Sequence, residues 1–391
     1  MPARPLTVAW ISNFPVEWLD EVPAEVQSLP RQHPASWQRV LLAEFENRPD
    51  VRLHVFVLRK HFARSQTFER RGVVFHLIKT VGGLRAPSCY WLDTFLLRRE
   101  LAGIDPDVVH AWGTELGAAL VAGRLGFPYV VTMQGLLNWI GQIVPMTRFD
   151  RFAAVLEDVA LSGTATVTAE SSFAMEFLRQ RHPQLRLRQV EHPPLPLFRE
   201  VVRKPSLAPP RLLFVGNFGY LKGGDLLFEA LAQLPDDQDF VMVCIGTTDA
   251  AFVESVRNAA PERVVNRVRF LGSRTAPEIA AELASAALFV YPTRCDNSPN
   301  AVKEAIVAGV PVVASGVGGI VDYVVPDRNG LLFAAGDASG LAQRLSEALR
   351  HPLFRNGTVE TQCLVEMRTY LSAAQMAAKF FEAYSSVARA S

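Results

Sequence analysis

The chain reads as an α/β protein made of two Rossmann-like domains, each a doubly wound parallel sheet, facing each other across a cleft. Three observations predict this. The length, 391 residues, exceeds the usual size of one domain. Short apolar, β-branched runs alternate with longer amphipathic stretches along the whole chain, which is the signature of βαβ units. Six prolines (193, 194, 196, 205, 209 and 210) break the pattern near the middle, where neither helix nor strand continues because proline lacks a backbone donor and fixes φ.

The strand-like runs in the first half are residues 6–12, 51–58, 73–78, 108–112, 129–133 and 165–168. Those in the second half are 211–216, 240–246, 268–272, 287–291, 310–315 and 330–333. Several are apolar nearly throughout, as strands covered on both faces must be. Helical patterns at 36–48, 90–102, 226–234 and 276–286 lie between them. The expected organisation is a first domain over 1–195, a proline-rich linker over 196–210, a second domain over 211–369, and a terminal helical segment over 370–391 that packs back on the first domain.

Composition narrows the function. Forty basic against thirty-nine acidic residues leave a net charge of +1, so no global field points to nucleic acid. The four cysteines, Cys89, Cys244, Cys295 and Cys363, are far apart, which suggests neither a zinc site nor a disulfide framework. The opening residues run straight into a strand and lack the pattern of a signal peptide. No apolar run reaches the roughly 18 residues that span a bilayer. A cytoplasmic protein is expected, at most attached to the inner face of a membrane.

In open parallel sheets, ligands bind beyond the carboxyl ends of the strands, and three such loops in the second half stand out. The first is residues 216–224, Gly-Asn-Phe-Gly-Tyr-Leu-Lys-Gly-Gly, where Gly216 and Gly219 allow close backbone approach and Lys222 supplies a cation. It is neither a P-loop nor a G-x-G-x-x-G turn, and alone it reads equally as a tight strand-to-helix turn. The second runs from Tyr291 to Ala305 and opens a helix near Asn300. The free amides and dipole of such a start make an anion site. Glu304 falls one turn in, where a carboxylate can accept from two vicinal hydroxyls, and Asp296 precedes the helix, where it can meet a sugar; otherwise the segment is an ordinary helix start with two surface acids. The third, 316–320, is a glycine-rich start after another strand.

Together, G-x5-K-G at 216–223, the acid pair Asp296 and Glu304, and AGVPVVASGVGGI at 308–320 resemble the retaining glycosyltransferases of family 4. The resemblance is strong over 210–335 and weaker before it. It implies the GT-B fold and transfer of a sugar from a nucleotide-diphosphate-sugar donor to a carbohydrate or lipid-linked acceptor. It further implies that Lys222 binds the diphosphate, Glu304 the ribose and Asp296 the transferred sugar. Amides over Ser298, Pro299, Asn300, Ala301 and Val302 would touch phosphate and sugar. Two departures stand out. Asn217 replaces a usual arginine, so a second cation is missing or comes from Arg294 or Lys303. Asp296 is one methylene shorter than the usual glutamate. Arg274, in the loop 272–275, is a candidate contact to the base. No metal or other cofactor is expected, because no convincing Asp-x-Asp loop is present.

On the acceptor side, His110 ends a buried strand and reads either as a catalytic or sugar-binding histidine or as a packed one. Trp112 suits sugar stacking, though an aromatic near a core is usually packing. Gln134 and Asn138 are candidate hydrogen-bond donors, and Ser36 is a candidate helix cap. The basic run 59–71, interleaved with Phe62 and Phe68, reads either as a membrane-surface element for a lipid-linked acceptor or as a solvated face. The competing functions are a nucleotide-sugar epimerase or phosphorylase of the same fold, and a non-catalytic binding homologue.

Overall fold

A computed structural model describes residues 4–164 and 166–388. It divides the chain into two compact units. The first holds the described residues up to 170, then 174–192, and those from 373 onward; the second holds 171–173 and 193–372.

Among the described residues the first unit has eight strands: β1 (Leu6–Ile11), β2 (Val51–Arg59), β3 (Gln66–Arg70), β4 (Val73–Lys79), β5 (Val108–Trp112), β6 (Tyr129–Thr132), β7 (Thr166–Ala169) and β8 (Arg186–Gln189). Their order is β3-β4-β2-β1-β5-β6-β7-β8, parallel except for the antiparallel β3. The second unit has six: β9 (Arg211–Val215), β10 (Val241–Ile245), β11 (Val268–Gly272), β12 (Leu288–Tyr291), β13 (Val312–Ser315) and β14 (Gly330–Phe333). Their order is β11-β10-β9-β12-β13-β14, all parallel.

The central strands are the ones whose apolar runs the sequence exposes. β5, β7, β12 and β13 are buried along their whole length. The first half carries two strands more than the six read from its pattern. β3 and β8 are edge strands with alternating polar residues, so no continuous apolar run marks them. Ala165, read as the start of a strand, lies outside the described residues, as does Arg389.

Three further readings change. The helix Ser36–Glu46 starts inside Ser36; its cap position is Ala35, in a left-handed conformation, and no side chain caps it. The terminal segment read over 370–391 starts three residues later, as the single helix Ala373–Val387; the helix before it, Thr361–Tyr370, lies in the second unit. The residues read as linker are packed: Phe198 lies in the core of the second unit, and Arg203 donates to the carbonyls of Leu283, Ala286 (2.6 Å) and Gly357 (2.8 Å).

Helix Ala373–Val387 belongs to the first unit through Met376, Phe380 and Tyr384. A buried polar chain fixes it there. Trp10 Nε1 donates to the Tyr384 hydroxyl at 3.1 Å. That hydroxyl lies 2.6 Å from His110 Nδ1, and His110 Nε2 lies 2.6 Å from Thr132 Oγ1, which lies 2.6 Å from Thr168 Oγ1. Donors then run in one direction if His110 is neutral with its proton on Nε2. Burial, followed by the neighbouring His192, holds His110 well below the ordinary histidine range, as that tautomer requires. Replacing Tyr384 by Phe strands two buried polar groups, and denaturant unfolding should show a loss of about 1–3 kcal/mol in the first unit. An unchanged midpoint would mean the chain is not holding the helix.

Candidate functional site

In the second unit the chain runs outward from β9 to β11 and then returns to β12, so the strand order reverses between β9 and β12. Such a switch point leaves a crevice at the strand ends. The loops that follow β9, β12 and β13 meet there.

The loop 292–299 is held on both sides. Arg294 N donates to Leu221 O at 2.9 Å and Thr293 Oγ1 to the same carbonyl at 3.1 Å. Ser315 Oγ donates to Thr293 O at 2.5 Å, and Gly319 N to Asn297 O at 2.7 Å. These approaches need glycine. A Cβ on Gly223 would stand 1.9 Å from Pro292 O, and one on Gly318 would stand 1.8 Å from Asp296 O. Both residues have positive φ, 72° and 58°. Within the loop 216–224, read as approaching a ligand, Gly223 therefore makes room for the neighbouring loop. Gly219 is different, because a Cβ there would meet nothing within 4 Å.

Within this frame Lys222 Nζ donates to Asp296 Oδ2, and the Tyr291 hydroxyl donates to the same oxygen at 2.9 Å. The residues read as holding the diphosphate and the adjoining transferred sugar thus form an ion pair. Oδ1 of Asp296 has no partner among the described residues. Tyr291 is the contributor the sequence reading missed. It is buried, its hydroxyl is pushed well above the usual range by burial and then by Asp296, and Glu304 acts on it as well. Its signal was its place at the carboxyl end of an apolar strand, five residues before the first acid.

The helix Asn300–Ala308 begins after Pro299, with no side-chain cap. The amides of Asn300, Ala301 and Val302 are therefore left for a ligand or water, while the Val302 side chain itself lies in the core. Ser298 Oγ lies 2.7 Å from the Tyr323 hydroxyl and accepts from Lys303 Nζ at 3.0 Å. The Asn297 side chain accepts from Ser171 Oγ at 2.8 Å, and its Nδ2 donor has no partner among the described residues. Glu304 is half-buried at the helix start, and desolvation pushes its carboxyl up to about 7 against the opposing pull of Lys303.

Neither residue offered as a replacement for the missing arginine is free. Arg294 is bidentate to Asp225 at 2.7 Å for each bond and also bonds the Tyr220 carbonyl at 2.5 Å. Lys303 is fully buried. Asn217 is exposed and accepts from Thr247 Oγ1 at 2.6 Å through its own side-chain oxygen. Arg274 is exposed, 3.9 Å from Glu278, in a loop that ends in the capping box of helix Ala276–Ser285.

The first unit has its own switch point, between β1 and β5. A cavity of about 260 Å³ opens there, lined by Ser12, Asn13, Trp37, Gln38, Trp112, Glu115 and Gln134 among others. Trp112 and Gln134 were read toward this side from sequence, and both line it. Glu115 was missed. Its carboxylate accepts from the amides of Thr114 at 3.0 Å and Gly135 at 2.8 Å, while burial raises its pKa. Arg85, in the wall, is tied to Asp93 by bonds of 2.7–3.1 Å.

Two first-unit readings are corrected. His110 is fully buried with both ring nitrogens occupied, so it is a packing residue and not an acid–base group at an open strand end. Asn138 has its amide nitrogen 3.3 Å from Glu157 and its oxygen accepting from Arg181 at 3.1 Å, so it closes an internal network.

Residues 209–351 match the family described as glycosyl transferases group 1, and residues 16–192 match a glycosyl transferase 4-like domain. A GDP-mannose-dependent alpha-mannosyltransferase of Mycobacterium tuberculosis is 31% identical over 272 residues, 66% of this chain and 68% of that protein. The fold resembles the sucrose-phosphate synthase of Thermosynechococcus elongatus, with a TM-score of 0.76 at 19% identity over 97% of this chain and 98% of that one. It also resembles Anabaena HepE in complex with UDP and glucose, with a TM-score of 0.67 at 16% identity over 97% and 100%.

The glycine contacts can be tested directly. Gly318→Ala should lower the stability of the second unit by about 1–3 kcal/mol, because both the clash and the φ oppose a side chain. Gly219→Ala should stay within about 0.5 kcal/mol. Chemical denaturation of the two variants checks the contrast, and equal losses would refute it.

Proposed function

The chain belongs to the glycosyl transferases of group 1, of the family 4 type with the GT-B fold, and we propose that this glycosyltransferase works with retention of anomeric configuration and without a metal. The donor is a nucleotide-sugar. The observation that carries the site assignment is that Lys222, Asp296, Glu304 and the uncapped amides of residues 300–302 converge on one switch point.

As the bond to the anomeric carbon breaks, negative charge builds on the leaving diphosphate. A cation and aligned amides aimed at that charge stabilise the transition state more than the ground state. Lys222 and the helix start serve this role. On donor binding Lys222 is shared between phosphate and Asp296, and the Tyr291 hydroxyl keeps the carboxylate in place when the lysine shifts. Asp296, through its open oxygen, takes a hydroxyl of the transferred sugar. Glu304 accepts the two ribose hydroxyls. The acceptor hydroxyl attacks on the leaving-group face, and a phosphate oxygen takes its proton. The cavity of the first unit, walled by Trp37, Trp112, Gln134 and Glu115, is the acceptor side. Its one arginine is committed to Asp93, so the acceptor end that enters is an uncharged polyol and not a sugar phosphate.

Calorimetry with UDP, GDP and ADP identifies the base and tests the site together; the mannosyltransferase relative favours GDP. Lys222→Ala should weaken the preferred diphosphate by about tenfold to a hundredfold and abolish turnover. If Lys222→Ala and Glu304→Gln both leave affinity and turnover unchanged, the site is wrongly placed. Labelled donor consumed with no acceptor present would indicate an epimerase instead.

Glu304 adds a pH dependence. Its folded pKa, about 7, lies above the ordinary 4.5. Its contribution to stability is therefore full below pH 4.5 and is lost as pH rises through about 7. Donor binding needs the ionised form and runs the other way, tightening as pH rises through about 7. Titrations in buffers of different ionisation enthalpy near pH 6 should show a proton released on binding, absent in Glu304→Gln. Equal proton release in that variant would remove Glu304 from the ribose site.

A further inference from the structure

We propose that the first unit docks on an anionic phospholipid surface through one face. That face is made by residues 81–84, the exposed side of helix Trp91–Leu101 and the outer side of helix Arg148–Ser162. Among the described residues, nine of the fifteen exposed large hydrophobics lie on it. Trp91 and Phe95 are 57% and 71% exposed, and Phe149, Phe152, Val155 and Val159 are 50%, 37%, 60% and 53% exposed. The last four recur every three to four positions along a 15-residue helix, so they form a single stripe turned outward. The opposite side of that helix, through Ala153, Ala154, Ala160 and Leu161, is already buried.

The parts of the face are contiguous. A second cavity, of about 580 Å³, is lined by Gly82, Gly83, Tyr90, Leu116 and Phe149, which makes the loop, the start of one helix and the start of the other neighbours. Helix Ala118–Leu125 packs against both helices. Apolar patches of this extent mark an interaction surface.

Charge selects the occupant. Arg98 and Arg99 are exposed on one helix, Arg148 and Arg151 on the other, and Lys60 at the cavity mouth. Arg124 places its guanidinium 4.4 Å above the Trp91 ring. Against these stands the exposed Glu100. Asp150 is engaged with Thr147 in the helix cap, Asp93 is buried on Arg85, and Asp158 is paired with Arg181. Aromatic and aliphatic side chains flanked by arginines match a headgroup layer over anionic lipid. No helix among the described residues is long and apolar enough to cross a membrane, so the contact lies in the interfacial plane.

Three arginines of the basic run 59–71, which the sequence offered for this role, are spent elsewhere, while Lys60 of that run lines the second cavity. Arg59 is buried on Glu17 at 2.7 Å, Arg70 on Asp20 and Glu46, and Arg71 lies 3.1 Å from both Asp20 and Glu21. Phe62 is in the core and Phe68 stacks on Phe75.

The second cavity shares Asn13, Gln32, Leu58, Arg85 and Leu116 with the cavity at the switch point. A lipid-anchored acceptor would then present its polar end to the inner cavity from a membrane held at the outer rim. This link to the acceptor rests on the proposed function; the docking itself rests on the surface alone.

The test is sedimentation of the full chain with vesicles of phosphatidylcholine, and with vesicles of phosphatidylcholine and phosphatidylglycerol in equal parts. The protein should pellet with the mixed vesicles and release as salt rises. Phe149→Glu with Phe152→Glu, and separately Arg148→Glu with Arg151→Glu, should each lower the pelleted fraction constant by at least about tenfold. Arg64→Glu, in the basic run, should leave it unchanged. Circular dichroism and nucleotide binding confirm that the variants fold, since all of these side chains are exposed. Absence of pelleting with either vesicle overturns the proposal, as does pelleting indifferent to the substitutions. A change of oligomeric state in sedimentation velocity, with no vesicle binding, would assign the face to a second copy of the chain and likewise overturn it. If nucleotide fails to bind while vesicles do, the function is wrong and the docking stands.

Discussion

The loop between β12 and its helix is held by its neighbours, and the site depends on that constraint. A parallel strand ends in a loop that its own hydrogen-bond ladder cannot fix. Here the loop 292–299 takes its position from backbone bonds to Leu221 and Gly319. Those bonds are open only because Gly223 and Gly318 have no Cβ. With the loop in place, Asp296 comes under Lys222 and Tyr291, and the helix that follows starts with bare amides.

The same constraint explains the electrostatics. Lys222 and Asp296 sit partly exposed as a pair, which lowers the cost of holding either charge before a ligand arrives. Glu304 has no ion-pair partner among the described residues, and desolvation of its carboxyl outweighs the opposing pull of Lys303. The protein thus carries one acid held in an ion pair and one whose charge is only marginally favoured near neutrality.

The two units use the switch point differently. The second presents a cation, amides and acids; the first presents aromatic, amide and carboxylate groups, with its arginine already engaged. The histidine in the middle of β5 belongs to neither role. It lies in a buried chain of hydroxyl, imidazole and indole groups that ties the last helix into the first unit.

The sequence by itself determined the fold class, the central strands and which loops of the second unit meet at its switch point. These are legible because a strand covered on both faces must be apolar throughout, and because glycine, lysine and acid at strand ends keep a fixed spacing along the chain. Only the tertiary structure decided the rest. Edge strands such as β3 and β8 escape because half of each faces solvent. Whether His110, Asn138, Arg59 or Arg294 is available depends on what lies across from it, and each is committed to a group 19 or more positions away. Tyr291 gives the opposite case, a strand residue whose hydroxyl reaches Asp296 only because the following loop folds back. Spacing along a chain fixes which residues can share a helix or a strand end, whereas a side chain's free valences are set by contacts between segments, and those exist only once the chain has folded.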